Sequence, residues 1–330
     1  MKVISKNLGF YGFPKKEKSM SLKYTLMEAF SGDNKKKFCQ HLENHETVTG
    51  LPDWCHKSYD VTKTGDEINP VFIIKSRKKT QDRAILYIYG SCGILGPSKR
   101  QFKMAASLAD ATGASVYMPF YPLAPKNNVR FALRWLQKVY ADMLKDWSAK
   151  KIVFIGDSYG ANLAMSLCYR VAGRPSKLVL ISPAVGLDDG TGLENRKSQE
   201  ELDRVMSVEA DRLISANWFK NVHLDSSDAD PIRVDCTNFP PACLFYGTKE
   251  LYALSMDTLI SQIENGDVPL EVVKRPLGHD WAILQNIPEG KKALKQIASF
   301  IDKEYGPVQP KVVVPPKDEE TEPAEEESES

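Results

Sequence analysis

The chain has 330 residues, 42% of them hydrophobic, with 44 lysines and arginines against 43 acidic residues and a formal net charge of +1. That length and apolar content suffice for a sizeable α/β domain with an insertion, or for two domains. The balanced charge gives no basis for nucleic-acid binding, and with no long apolar run neither a secretory signal nor an integral membrane segment is expected.

Nine lysines in the first 37 residues make a basic lead-in. Residues 24–43 are expected to form one or two helices with Leu26, Met27, Phe30 and Phe38 on an apolar side. Strands are predicted at 58–63, 71–75 and 84–89, a helix at 101–111 and a strand at 114–120. A long helix follows over 129–147, where Leu133, Leu136, Val139, Tyr140 and Met143 recur at helical spacing. After a strand at 152–155 and a helix at 161–171 comes another buried strand at 177–182. Residues 186–230 break the rhythm: long, polar and charged, with one amphipathic helix near 209–219. Strands at 242–246 and 270–274 then alternate with helices at 254–264 and 283–303. Such alternation implies a mostly parallel sheet with helices on both faces. The interruption reads as a cap inserted over the carboxyl ends of the strands, where open α/β sheets bind ligands. From Gly306 the chain has two lysines against eight acids, is rich in Pro, Glu and Ser, and lacks aromatics; this tail is expected to be disordered. The organisation expected is therefore a basic, helix-bearing segment over 1–50, an α/β domain over 51–305, and the tail over 306–330.

Six cysteines (Cys39, Cys55, Cys92, Cys168, Cys236, Cys243) show no Cys-x-x-Cys spacing. They read as free thiols of a reduced, cytoplasmic protein, and neither a metal site nor a cofactor is indicated.

The chemistry concentrates in one stretch. Ile152, Val153, Phe154 and Ile155 lead into Gly156-Asp157-Ser158-Tyr159-Gly160 and then Ala161-Asn162-Leu163-Ala164-Met165. The apolar β-branched run suits a strand buried on both faces, and the Ala/Leu/Met run a buried helix. A serine on a glycine-flanked strand-to-helix turn is lifted clear of the sheet with its hydroxyl exposed. The five-residue pattern alone is weak and fits an ordinary turn with incidental glycines; its flanks make Ser158 a candidate nucleophile.

A serine hydroxyl needs a base to take its proton and an acid to orient that base. Two histidines lie beyond Ser158: His223 within the insertion and His279, on a glycine-containing loop after the strand at 270–274. His279 is where the base belongs when the chain order is Ser, acid, His. Glu250 follows the strand at 242–246 and precedes His279 by 29 residues; Asp257 is the other acid to weigh, placed inside the next helix. An oxyanion formed on attack needs N–H donors, one from the residue after the nucleophile, Tyr159, and others from Gly90, Ser91 and Cys92 in the loop after the strand at 84–89.

With those residues in view, the chain over roughly 50–305 resembles the hormone-sensitive-lipase-like branch of the α/β-hydrolase superfamily, which includes arylacetamide deacetylase-like and steryl-acetyl hydrolase-like esterases. The run from Gly156 to Leu163 is similar to that branch's Gly-Asp-Ser-Ala-Gly-Gly-Asn-Leu elbow, and Tyr121-Pro122-Leu123-Ala124-Pro125 to its Tyr-Arg-Leu-Ala-Pro segment. Ile181-Ser182-Pro183 and Phe239-Pro240-Pro241-Ala242 fall where the branch has similar runs. The resemblance implies an eight-stranded α/β-hydrolase sheet, a helical cap of which the 1–50 segment is part, and hydrolysis of small-molecule, short-acyl esters without a cofactor. The chain departs from it in three places. The His-Gly-Gly-Gly loop is here Tyr89-Gly90-Ser91-Cys92-Gly93, so any left-handed backbone at Ser91 or Cys92 is strained. Tyr159 stands where Ala is usual, with a ring placed to narrow or line the acyl pocket. Glu250 stands where Asp is usual. Against a Ser158–Glu250–His279 esterase stand two other readings, a non-catalytic small-molecule receptor on the same fold, motivated by the altered loop, and an amidase.

Overall fold

The computed structural model describes residues 20–25, 34–45, 50–187 and 193–306. Residues 1–19 of the basic lead-in, the expected helix positions at Leu26, Met27 and Phe30, and the tail from residue 307 lie outside the described residues.

Eight strands form one sheet: β1 (Asp60–Gly65), β2 (Pro70–Lys75), β3 (Ala84–Ile88), β4 (Ser115–Pro119), β5 (Ile152–Asp157), β6 (Lys177–Ile181), β7 (Ala242–Gly247) and β8 (Leu270–Arg275). Their order is β1-β2-β4-β3-β5-β6-β7-β8. β2 runs antiparallel to β1 and β4, and every other pair is parallel. This is the α/β-hydrolase sheet expected from the sequence.

Strand composition follows position. β3, β5, β6 and β7 are buried along their whole length, because parallel strands covered by helices on both faces have no side that meets water. Each Ile, Leu or Val buried there contributes about 1.5–3 kcal/mol. β1 is the opposite case. Asp60, Thr62, Lys63 and Thr64 are exposed, and charge on an edge strand discourages pairing with another chain.

The helices pack in two groups. α3 (Lys99–Thr112) lies on β2 and β4 and touches α9 (Pro288–Asp302), which reaches β7. α4 (Val129–Asp146) packs on α5 (Tyr159–Arg170), and α5 on β5 and β6. Leu133, Leu136, Val139, Tyr140 and Met143 form the buried side of α4, as their spacing predicts. α8 (Met256–Asn265) packs beside β8.

Several boundaries differ from the sequence reading for local reasons. α3 starts at Lys99 because Ser98 and Gln101 form a reciprocal capping box, with the Ser98 N–H donating to Gln101 Oε1 at 2.7 Å. The expected last helix is interrupted. A single 3-10 turn at Trp281–Ile283 precedes α9, which begins at Pro288, since proline lacks the N–H that an interior position needs and fits the first turn. A 3-10 turn over Leu251–Ser255 likewise delays α8. A short helix, α2 (Asp53–Ser58), was not anticipated. The 186–230 stretch carries α6 (Leu193–Glu200) beside the expected α7 (Val208–Asn217), and α7 packs on α1 (Lys35–Asn44).

The six cysteines are unpaired, with Cys168 buried in α5 and Cys243 in β7. Among the described residues no helix is long and apolar enough to cross a membrane, and no group of three His, Cys, Asp or Glu side chains could hold a metal ion. What matters for chemistry is that β3, β5, β6, β7 and β8 are consecutive parallel neighbours. Their carboxyl ends open on one edge, and the loops that follow them converge there.

Candidate active site

Ser158 leaves β5 with φ 53° and ψ −123°, a conformation that costs a residue with a side chain on the order of 1–3 kcal/mol. The neighbourhood holds it there. The Ser158 N–H donates to the Ile181 carbonyl at 2.8 Å, and its own carbonyl accepts from Ala161 at 3.0 Å and Ala184 at 3.2 Å. The turn is possible because Gly160 has no side chain: a Cβ there would sit 2.0 Å from the Ile88 carbonyl oxygen. β5 therefore passes straight into α5 against the end of β3, and Ser158 stands above the sheet.

Two loops bring partners to it. His279, after β8, sets Nε2 at 2.9 Å from Ser158 Oγ. Its Nδ1 lies 2.9 Å from Glu250 Oε2. Glu250, just past β7 and 1% exposed, also accepts the Gly247 N–H on Oε1 at 2.6 Å. Because a carboxylate only accepts, the neutral imidazole carries its hydrogen on Nδ1 and leaves Nε2 free to accept from the serine. Asp257 sits exposed in the first turn of α8, and His223 is exposed in the 186–230 stretch; neither belongs to this cluster.

The loop after β3 has an unusual backbone. Ser91, Cys92 and Gly93 have φ of 64°, 61° and 66° in succession, so the strain expected of two side chains in glycine positions is present. Tyr121, from the Tyr-Pro-Leu-Ala-Pro segment, donates its hydroxyl to the carbonyls of Tyr89 at 2.9 Å and Gly90 at 2.6 Å. Its ring stacks on Tyr89 at 4.6 Å. The Gly90 N–H is engaged with Asp157 Oδ2 at 3.2 Å, which corrects its assignment as an oxyanion donor. Tyr159 is the first residue of α5, so its N–H has no acceptor within the helix.

Residues 85–282 match the alpha/beta hydrolase fold family. The chain belongs to that family. A curated esterase from Acinetobacter venetianus is 29% identical over 226 residues, covering 66% of this chain and 73% of that one. Among solved structures, a Staphylococcus aureus esterase candidate superposes with a TM-score of 0.73 at 24% identity, covering 82% of this chain and 92% of that one. An esterase of the bacterial hormone-sensitive lipase family superposes with a TM-score of 0.68 at 23% identity, covering 82% and 90%. This alpha/beta hydrolase is of the esterase and lipase type.

Charge in the hydrolase site is arranged around His279. Burial works to lower its pKa, but the carboxylates of Asp280, Glu250 and Asp203 outweigh burial and push it up to about 10. Asp280 Oδ2 is 3.7 Å from Nε2, and its backbone N–H donates to Ser182 Oγ at 3.1 Å. Burial pushes Glu250 up, opposed by its bonds from His279 and Gly247. Asp157, fully enclosed, is also raised by burial, against bonds from Tyr87 at 2.6 Å, Gln101 at 2.7 Å and Gly90.

A cavity of about 380 Å³ opens beside Ser158 and His279, with Phe38, Leu95, Val205, Met206 and Ile283 as its apolar walls. A groove of about 580 Å³ between β1, β2, β4 and α4 is larger but has no serine, cysteine or histidine on its lining. The Tyr159 ring is not among the walls of the cavity at Ser158. It is buried, with its hydroxyl 3.0 Å from that of Tyr252, whose hydroxyl donates to Asp211 at 2.6 Å.

Sequence reasoning brought Ser158, Glu250 and His279 together and missed much of what supports them. Asp157 was part of the elbow motif but had no role. Tyr121 lay within a quoted segment, and Asp280 within the His279 loop. Gln101 had a readable signal, the Ser-x-x-Gln spacing from Ser98, which marks a helix start.

Proposed function

We propose that the protein is a serine carboxylic-ester hydrolase of the short-acyl, deacetylase type, working through Ser158, His279 and Glu250. One observation carries this reading: a serine on a strained elbow, 2.9 Å from an imidazole that is itself 2.9 Å from a buried carboxylate. His279 Nε2 takes the Ser158 proton as Oγ attacks the ester carbonyl. The N–H groups of Tyr159, Ser91 and Cys92 receive the oxyanion, and Glu250 holds the tautomer and stabilises the imidazolium. His279 then gives its proton to the leaving alcohol. Water, deprotonated in turn by His279, attacks the acyl-enzyme and releases the acid and Ser158.

The modest cavity favours a short acyl group. Phe38 from α1 and Val205 and Met206 from the 186–230 stretch stand in its walls, which supports reading those segments as a cap that selects the substrate. The test is hydrolysis of p-nitrophenyl esters of increasing chain length by the full chain and by Ser158→Ala. The expected result is preference for the shortest chains and a fall of about 10⁴-fold or more in kcat for the variant. A Ser158→Ala variant as active as the parent overturns the assignment.

A further inference from the structure

The loop from Ser91 to Gly93 poses a physical problem. Two consecutive residues with side chains adopt φ above 60°, and such backbone persists only where its surroundings over-determine it. The Tyr121 hydroxyl and the stacked Tyr89 ring hold the loop from one side. On the other side stands the amide of Gln101, 3% exposed, which makes three bonds at once. Its Nε2 donates to Asp157 Oδ2 at 2.7 Å, and its Oε1 accepts from Ser91 Oγ at 3.1 Å and from the Ser98 N–H at 2.7 Å.

The chemistry of the partners fixes the orientation of that amide. A carboxylate can only accept and a backbone N–H can only donate, so Nε2 must face Asp157 and Oε1 must face Ser98. Asp157 Oδ2 also takes the Gly90 N–H. One primary amide thus joins the residue before the nucleophile, the strained loop and the start of α3.

We infer that Gln101 is a positioning residue for the oxyanion-binding loop, holding Ser91 and Cys92 in register with the Ser158 elbow through its bonds to Asp157 and Ser91. This deepens the proposed ester hydrolysis and rests on it. The Gln101 side chain bonds Asp157, Ser91 and Ser98 rather than Ser158, His279 or Glu250; its effect is on the placement of donors that matter when charge develops on the substrate oxygen, so it belongs to kcat rather than to KM.

The experiment compares Gln101→Met, Ser91→Ala and the double variant with the parent full chain. It measures kcat and KM for a short p-nitrophenyl ester, together with inhibition by an alkyl boronic acid that mimics the tetrahedral state. Ser91→Ala keeps the Cβ, and hence the strained φ, but loses the bond to Gln101; as a loop change it remains informative if Gln101→Met folds poorly. Gln101→Met is expected to lower kcat on the order of 10- to 100-fold, and Ser91→Ala by a smaller factor. KM should stay within about threefold and boronate affinity should fall in step with kcat. The double variant should be no worse than Gln101→Met, since both changes remove one connection. A loss borne by KM, either single variant within about twofold of the parent kcat, or effects that multiply in the double variant, overturns the assignment. Failure of the underlying reading looks different: Ser158→Ala then keeps the parent activity.

Discussion

At the scale of single residues, the feature with the most consequence is the second carboxylate beside the imidazole. On the proposed mechanism His279 must be neutral to take the Ser158 proton, so activity is expected to rise with pH through its pKa. Burial lowers that pKa, yet Asp280, Glu250 and Asp203 together push it from 6.5 to about 10. The expected kcat/KM profile therefore keeps climbing above neutrality, with a midpoint displaced well above 6.5. Asp280→Asn removes one of the three raising charges, those of Asp280, Glu250 and Asp203, and should move the midpoint down, which a pH–rate profile of both proteins measures. The same shift has a sign for stability. A raised histidine pKa stabilises the fold fully below 6.5, and that contribution is lost as pH rises through about 10.

At the scale of elements, the elbow depends on how closely α5 approaches β3. The Cβ of an alanine at position 160 would meet the Ile88 carbonyl oxygen at 2.0 Å and the Tyr89 carbonyl carbon at 2.6 Å. Both are backbone atoms of a central strand and its loop, and neither can yield cheaply. Gly160→Ala is expected to destabilise the protein by about 3 kcal/mol, read from urea unfolding. Activity per folded molecule should fall as well, because the displaced backbone carries the proposed oxyanion loop. The elements themselves were largely legible. Periodicity located α4, and apolar β-branched runs located β5 and β6, because burial on a fixed side imposes those patterns. Boundaries were less legible where a side-chain cap or a proline set them, as at Ser98 and Pro288.

For the whole molecule, Asp228 ties two helices to the end of the 186–230 stretch. It pairs with Arg130 at 2.8 Å in α4 and with Arg170 in α5. Burial raises its pKa, but the two guanidiniums outweigh burial and hold it below the usual carboxylate value. A depressed carboxylate stabilises the fold above its unfolded value of 3.8, and that contribution is lost as pH falls through the folded value. The side chains are 19% to 44% exposed, so screening keeps the effect small. Asp228→Asn should cost about 1 kcal/mol at neutral pH and progressively less as pH falls below 3.8 towards the folded value, measured by denaturant unfolding across that range.

The sequence by itself determined the fold class, the chain order of serine, acid and histidine, and Ser158, Glu250 and His279 as the candidates for those places, because each sits in a pattern that the local chain dictates. A buried strand must be apolar, a sharp strand-to-helix turn must be glycine-flanked, and loops after parallel strands must open on one edge. Only the tertiary structure decided which groups hold those residues in place. The preference for Glu250 over Asp257 became a 2.9 Å contact, the Gly90 N–H proved to be engaged by Asp157, and Gln101 came to bond Asp157, 56 positions away. Such bonds join side chains from separate elements, and their partners are set by how helices and strands pack rather than by any spacing along the chain.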